Sequence, residues 1–475
     1  MYLTENDIEK QVYETLKLIG KIADVNHYEV YAIGGFVRDT ILQRECKDID
    51  IVVVGDGIAF AKLVANEING GRFSFFKTYG TAQIKNNDID IEFVGARKES
   101  YSENSRNPVV VQGQLKDDLE RRDLTINALS FSLNKDKFGE VIDVFDGLND
   151  LDNQIIRTPL NPDKTFSDDP LRMMRAIRFA SQLGFKIEEN TYDGIVRNKE
   201  RIKIITQERI TEELNKIILS PLPSIGFEYL FDTGLLSIIF PEMCLLHGVE
   251  TIQGISHKDN FYHTLQVLDN ISTQTKDLWL RWSAILHDIA KPQTKRFEPG
   301  IGWTFHGHED KGSRMVKPIF TRLKLPLNEH MRLVEKLVLL HLRPIVLSQE
   351  VVTDSAIRRL MVDAGEDLDS LMMLCNSDIT SKNEKKVDKI KANFKLVQEK
   401  IKLVDEKDKL RNWQPPINGN HILEHFDIQD KKQIGTLKEA VREAILEGKV
   451  KDEFQDAFNF LKDFAEQRNI FLKNN

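Results

Sequence analysis

Asp48 and Asp50 stand two residues apart in "KDIDIVVVG", whose β-branched residues and alternating pattern predict a strand. Side chains alternate between the faces of a strand, so the two carboxylates project together while Ile49 and Ile51 point into the sheet. Any solvated strand face can carry Asp-x-Asp, so the neighbouring residues decide its chemistry. Upstream, "YEVYAIGGFVRDTILQ" sets Gly34 and Gly35 between a strand and a helix, where backbone amides can face a phosphate. Arg38, on the first turn of that helix, adds a charge-assisted contact to the same anion. Divalent cations such as Mg²⁺ prefer oxygen ligands and are commonly shared between carboxylates and phosphates. Glycines, arginine and paired aspartates therefore describe a triphosphate-and-metal site. G-x-G-x-x-G and the P-loop ending in G-K-[ST] are both absent from this stretch, which sets aside the dinucleotide fingerprint and the P-loop.

A second set of residues lies far downstream. "FYHTLQVL", "LHDIAKP", "FHGHEDKGSRM", "LVLLHLRP" and "CNSDIT" supply His263, His287, Asp288, His308, His341 and Asp378, all in helical context. Imidazole and carboxylate together are good ligands for a divalent transition metal. His306 competes with His308 for its place.

Two kinds of element must position these sets. "HYEVYAIGG", "DIDIVVVG", "RFSFFKTYGTAQIK" and "DIDIEFVG" read as strands after a helical start at residues 1 to 26, giving an α/β head. From about Asp168 the apolar residues recur at helical spacing, as in "PLRMMRAIRFASQLGF" and "QERITEELNKIIL", and the rest of the chain reads as helical. "NWQPPINGN", residues 412 to 420, is the clearest linker. At 475 residues, two to four domains are expected. Cys46, Cys244 and Cys375 fall in no paired metal spacing and fit a reducing compartment. The start "MYLTENDIEKQVYETLKLIG" has no basic, apolar leader, and no stretch is long enough to cross a bilayer, so a cytoplasmic protein without a membrane partner is expected. The net charge of −8 opposes nucleic acid as a partner, but residues 382–411 carry eleven Lys or Arg against six Asp or Glu. That segment is either a solvated helix face or an RNA-facing surface.

"GGFVRD" followed by "KDID" resembles the first motif of the class II template-independent nucleotidyltransferases, which comprise CCA-adding tRNA nucleotidyltransferases and bacterial poly(A) polymerases. The resemblance covers most of the chain. It implies a nucleotidyltransferase sheet in which Asp48 and Asp50 hold Mg²⁺, Gly35 and Arg38 hold the incoming triphosphate, and an RNA 3′-hydroxyl attacks in line. Glu92 of "DIDIEFVG" is a candidate third carboxylate. "DLERRDLTINALSF" resembles the second motif, which implies that Arg122 and Asp123 contact the nucleotide's phosphate or ribose. "VIDVFDGLNDL" resembles the third, a hinge with Asp143 and Gly147 in place, although Gly147 equally suits a turn.

"DDPLRMMRAIRF" resembles the fourth motif, with Asp168 where the family often has Glu. Asp169 and Arg172, three apart on a helix start, offer an acceptor and a forked donor to a base edge. The resemblance implies that they recognise cytosine and adenine. Arg175 and Arg178 continue the face opposite Met173, Ile177 and Ala180, so an arginine fan is expected away from the apolar stripe, as nucleotide-binding residues. "QERITEELNKIILSP" resembles the fifth motif, with Glu208 and Arg209 stabilising a helical neck. The downstream set resembles the HD-domain phosphohydrolases, which implies one metal on His263, His287, Asp288 and Asp378 and a second on His308 and His341. The tail from "PPINGN" onward resembles the tRNA-gripping body and tail of HD-bearing CCA-adding enzymes.

The expected fold class is α+β: an N-terminal nucleotidyltransferase mixed β-sheet head with helices (1–150), an all-α neck with the base-reading helix (151–245), an HD domain (246–381) and a helical body and tail (382–475). The expected function is CCA addition to tRNA from CTP and ATP with Mg²⁺, with phosphohydrolysis at the HD metals. A pI near 5.9, no long basic C-terminal extension and "FKTYGTAQIK" weigh against a poly(A) polymerase. An A-adding or CC-adding enzyme is an alternative, and so is an HD phosphohydrolase whose head only binds RNA. An alarmone synthetase-hydrolase joins the same module types in the reverse order.

Overall fold

The computed structural model describes the chain except for residues 69–70, 78–79, 87–88, 103–104, 348–352, 381–383, 409–412 and 474–475. Thr78 and Tyr79 of "FKTYGTAQIK", the boundary at 381/382, both ends of the basic segment 382–411 and Asn412 of the linker thus lie outside the described residues. The chain forms two compact units, Met1–Cys244 and Leu245–Asn475.

The first unit is built on a seven-stranded mixed sheet. Its strands are β1 (Glu29–Ile33), β2 (Asp48–Val54), β3 (Arg72–Phe76), β4 (Thr81–Asn86), β5 (Ile89–Gly95), β8 (Leu129–Ser132) and β9 (Val141–Asp143), and β6 (Arg97–Ser102) pairs with β7 (Ser105–Gln112) as a separate hairpin. The order across the sheet is β3-β4-β5-β2-β1-β8-β9, with β2 and β5 parallel and every other neighbour antiparallel. A parallel pair needs a crossover. Helix α3 (Gly57–Glu67) begins it, capped by Asp56, whose side chain accepts from the amides of Ile58 and Ala59.

Helix α1 (Lys10–Val25) buries Val12, Leu16, Ile19 and Ala23 at helical spacing. It starts later than residue 1. The first residues are drawn into the sheet edge instead: Leu3 N donates to Gly139 O at 2.8 Å, and Val141 N donates to Met1 O at 3.0 Å. The stretch "RFSFFKTYGTAQIK" is two antiparallel strands rather than one, because Gly80, at φ +64°, reverses the chain.

Helices α2 (Gly35–Ile41), α4 (Leu115–Glu120), α5 (Gly147–Asp152), α6 (Pro162–Asp168), α7 (Leu171–Leu183), α8 (Glu189–Asn198) and α9 (Gln207–Ile218) complete the part that positions the site. Met173, Met174, Ala176, Ile177 and Ala180 of α7 are fully buried, as are Leu214, Ile217 and Ile218 of α9, which packs against it. Each such large side chain contributes about 1.5–3 kcal/mol of burial energy. Gly184 ends α7 in the left-handed conformation. Pro170 shifts the start of α7: the residue before a proline is driven out of the helical region, so Asp169 is extended (φ −140°, ψ 102°) and lies between α6 and α7, not in the first turn of α7.

The second unit carries the helices Asn260–Ser272, Leu278–Leu286, His308–Arg322, Glu329–Leu340 and Leu368–Asp378, with short hairpins at Thr251–Ser256 and Arg296–Thr304. The helix Glu384–Asp408 follows, and then three helices, Gly419–His425, Lys431–Leu446 and Phe454–Glu466, close around Ile422, Phe426, Leu437, Val441 and Leu461. Among the described residues, no helix is long and apolar enough to cross a membrane.

Candidate nucleotidyl-transfer and metal sites

Strand β2 holds Ile49 and Ile51 in the core and turns Asp48 and Asp50 to the other face, Asp48 exposed and Asp50 half-buried. The parallel register sets Asp50 beside Glu92 and Asp48 beside Asp90, so Glu92 joins the same face. Burial pushes the Asp50 carboxyl up and Arg122 opposes it; Glu92 is also raised, by desolvation and then by the Asp50 and Asp90 charges. Half-buried carboxylates gathered on one face in this way gain from a shared cation.

The chain turns from β1 into α2 at Gly34, whose φ is +78°. A Cβ there would stand 2.7 Å from Arg122 Nη1 and 3.7 Å from Asp50 Oδ2, so the missing side chain lets the guanidinium cross the turn beside Asp50. Asp118, fully buried, holds Arg122 at 3.3 Å and Arg121 at 2.5 Å. Sequence reading did not single out Asp118; its signal was an acid three and four residues before two arginines on a helix. Asp143 accepts from the amides of Gly147 (2.8 Å) and Leu148 (2.9 Å), and a Cβ on Gly147 would meet Thr125 O at 2.5 Å, so that glycine permits a close approach rather than only a turn.

Arg38 follows Gly35 on α2 and is buried. Its Nε and Nη2 donate to Asp39 at 2.9 and 2.7 Å, and its Nη1 donates to Asn127 Oδ1 at 2.7 Å. Asn127 Nδ2 donates to Asp123 Oδ1 at 3.1 Å, and Arg175 Nε donates to Asp123 Oδ2 at 2.6 Å. Asp123 is buried, yet Arg175 and Asn127 hold its carboxyl well below the usual carboxylate range. Arg178 Nε lies 2.8 Å from Glu213 Oε2 on α9. The rings and cations interleave: the guanidinium carbons of Arg38, Arg175 and Arg178 lie 4.7, 5.6 and 4.1 Å from the centre of the buried Phe179 ring. Buried acids on neighbouring elements, Asp123 and Glu213, thus engage Arg175 and Arg178 on α7. Asn127 and Glu213 were missed; Glu213 could have been found as an acid at helical spacing between the apolar Ile210 and Ile217.

Arg172 Nη2 donates to Arg121 O at 2.6 Å and its Nη1 to Thr165 O at 3.4 Å, which fixes the fork by backbone carbonyls. Asp169 Oδ1 caps the amide of Leu171 at 3.1 Å, and its Oδ2 lies 3.9 Å from Arg209. Glu208 is exposed.

In the second unit, the ends of five helices bring the downstream set together. His263, His287 and Asp378 form one group of candidate ligands, and Asp288, His308 and His341 form another. Asp288 faces both: its Oδ2 lies 3.2 Å from His287 Nε2 and 3.5 Å from His263 Nε2, and its Oδ1 lies 3.2 Å from His308 Nε2 and 3.9 Å from His341 Nε2. Three rings are oriented by backbone carbonyls at Nδ1: His287 by Ala284 (2.7 Å), His308 by Phe305 (2.8 Å) and His341 by Val338 (2.6 Å). A donor at Nδ1 leaves Nε2 with its lone pair for a metal. His287 Nε2 is buried without a hydrogen bond, an arrangement that a metal cation resolves. Burial notwithstanding, Asp288 and Asp378 hold His287 up at about 10, whereas burial and then the His287 charge push His341 down to about 4. The donor set thus fits divalent metal. His306 is exposed and His308 is buried, which decides between them.

Residues 30–157 match the poly(A) polymerase head domain, 184–246 the probable RNA and SrmB-binding site of polymerase A, and 260–383 the HD domain. The chain is 35% identical over 275 residues to an A-adding tRNA nucleotidyltransferase of Geobacter sulfurreducens, covering 57% of this chain and 29% of that protein. It is 33% identical over 314 residues to a multifunctional CCA protein of Haemophilus influenzae, covering 63% and 71%. The fold is similar to that of the Thermotoga maritima CCA-adding enzyme complexed with tRNA, with a TM-score of 0.60 at 22% identity over 96% of each chain. Fold and matches together define a polymerase-type head joined to an HD domain. The chain belongs to the nucleotidyltransferase family of the CCA-adding enzymes and poly(A) polymerases. It spans less than a third of the Geobacter relative's length.

Proposed function

We propose that the chain is a tRNA nucleotidyltransferase that adds or repairs the 3′-terminal CCA from CTP and ATP. The observation that carries this reading is the convergence of Asp50 and Arg122 on the Gly34 turn, with Asp48 on the same face of β2. Mg²⁺ held by Asp48 and Asp50 supplies charge neutralisation for the transferring phosphoryl group and the departing pyrophosphate. Gly35, Arg38, Arg122 and Asp123 form the phosphate and ribose end of the nucleotide site. Asp169 and Arg172 present an acceptor and a donor fork to the base, and Arg175 and Arg178 fix the helix that carries them. No side chain serves as a nucleophile, so positioning and electrostatics do the work. tRNA is the partner, and the cytoplasm is the place of action.

The second reading concerns the same protein's HD cluster, which we take as a metal-dependent phosphohydrolase acting on phosphates of RNA ends, with a divalent transition metal at His263, His287, Asp378, Asp288, His308 and His341. Its support is the six-ligand arrangement around Asp288. The kinship with an A-adding enzyme keeps addition of A alone as the competing outcome. Sequencing the products formed on tRNA lacking CCA separates the two, and His287→Ala separates hydrolysis from addition.

A further inference from the structure

We propose that Lys258 and Thr380 are positioning residues that set how tightly the group of His263, His287 and Asp378 holds a divalent cation, Lys258 opposing the cation and Thr380 supporting it. This rests on the reading of the cluster as a metal centre.

His263 differs from the other three histidines of the cluster in what meets its Nδ1. His287, His308 and His341 each turn Nδ1 to a backbone carbonyl, which can only accept, so each carries a hydrogen there and leaves Nε2 as the atom for a ligand bond. At His263 the neighbours are an ammonium and a hydroxyl: Lys258 Nζ lies 2.8 Å from Nδ1, and Thr380 Oγ1 lies 3.0 Å from it. Lys258 Nζ also donates to Thr380 Oγ1 at 2.6 Å, so the three polar atoms form a closed triangle.

Counting hydrogens shows what the triangle does. An ammonium has three hydrogens and no lone pair, so Lys258 obliges Nδ1 to accept. The neutral ring then carries its hydrogen on Nε2, which faces Asp378 Oδ1 at 2.9 Å. A ligand nitrogen must bring a lone pair, so in this tautomer Nε2 is closed to a cation. Ligation needs the hydrogen on Nδ1 instead. There Thr380 is the suitable partner, because a hydroxyl can accept that hydrogen and an ammonium cannot.

The placement of the two residues suits these opposed roles. Lys258 is exposed and stands two residues before the helix Asn260–Ser272, so rotation of its own side chain takes the ammonium into solvent with no change of charge. Thr380 is half-buried two residues after Asp378, and His263 is buried between them. Neither Lys258 nor Thr380 belongs to the groups of candidate ligands, so each acts on the cation through His263.

The test is a calorimetric titration of the full-length chain with Zn²⁺, in excess Mg²⁺ to cover the oxygen ligands of the head. The site in question is the one that His263→Gln removes. Lys258→Met should tighten it about tenfold, Thr380→Val should weaken it about tenfold, and Thr380→Ser should match the native chain. Unchanged affinity in Lys258→Met overturns the inference. Tightening there without a loss in Thr380→Val is an effect of charge alone and overturns it too. Ring ¹⁵N spectra of histidine-labelled protein, assigned with His263→Gln, read the tautomer itself. In the chelated native chain His263 should show a bare Nδ1 and His287, His308 and His341 a protonated one, and Zn²⁺ should move the His263 hydrogen to Nδ1; a protonated His263 Nδ1 before Zn²⁺ is added overturns the inference. If neither the native chain nor Lys258→Met takes Zn²⁺ at the cluster, the metal-centre reading fails and the inference with it, whereas uptake by Lys258→Met alone upholds both.

Discussion

Arg175 Nε lies 2.6 Å from Asp123 Oδ2, and the pair joins α7 to the segment that follows α4. Asp123 also accepts from Asn127, which accepts from Arg38, so one buried carboxylate links α2, the head and the helix that follows "DDP". Its folded-state pKa is depressed, so its contribution to stability is whole above the ordinary carboxylate range and is lost as pH falls through the lower folded value. Asp123→Asn should reduce stability by about 1–3 kcal/mol near neutral pH and flatten the loss of stability below about pH 4. Urea midpoints measured across that range check both.

Gly34→Ala should destabilise the chain by about 1–2 kcal/mol, the cost of forcing a side chain into the left-handed region. The new methyl also displaces Arg122 from its place beside Asp50. The rate of nucleotide addition should fall by far more than stability does, and RNA affinity should change little. Single-turnover rates with a melting curve on the same sample separate the effects.

Asp48→Ala and Asp50→Ala should each lower nucleotide addition by roughly a thousandfold, the scale of several kcal/mol of lost charge stabilisation, and leave HD hydrolysis intact. His287→Ala should do the reverse, and chelation should remove both activities. Parallel assays of addition and phosphate release on the same preparations test this. Loss of both activities in each variant contradicts two independent sites.

Phe179→Leu keeps an apolar side chain but removes the ring that Arg38, Arg175 and Arg178 surround. Each cation–π contact is worth at least about 0.5–1 kcal/mol, so a loss of about 1.5–3 kcal/mol is expected from the three, with Phe179→Tyr near native. Arg172→Ala should relax the choice among CTP, ATP, GTP and UTP more than it weakens RNA binding. Competition between the four triphosphates in one reaction measures that directly.

The candidate ligands were more legible in the sequence than the residues that support them. Asp48 and Asp50 could be read because a strand's two-residue period assigns faces locally, and His263, His287, Asp288, His308, His341 and Asp378 because imidazoles and acids stand out on helices. Asp118, Asn127 and Glu213 could not be read in the same way, because their roles come from partners that only the fold brings near: Glu213 meets Arg178 across a helix–helix contact. The acidic partners of Arg175 and Arg178 escaped for the same reason. Local rules did contain other answers that periodicity overrode: Pro170 displaces the start of α7, and Gly80 divides one apparent strand into two.

The most direct measurement is product sequencing. The purified chain is incubated with Mg²⁺, all four nucleoside triphosphates and a tRNA that lacks its 3′ end. Addition of C-C-A and nothing further is the predicted result; a tract of A, addition of A or C-C alone, or no addition at all would contradict it.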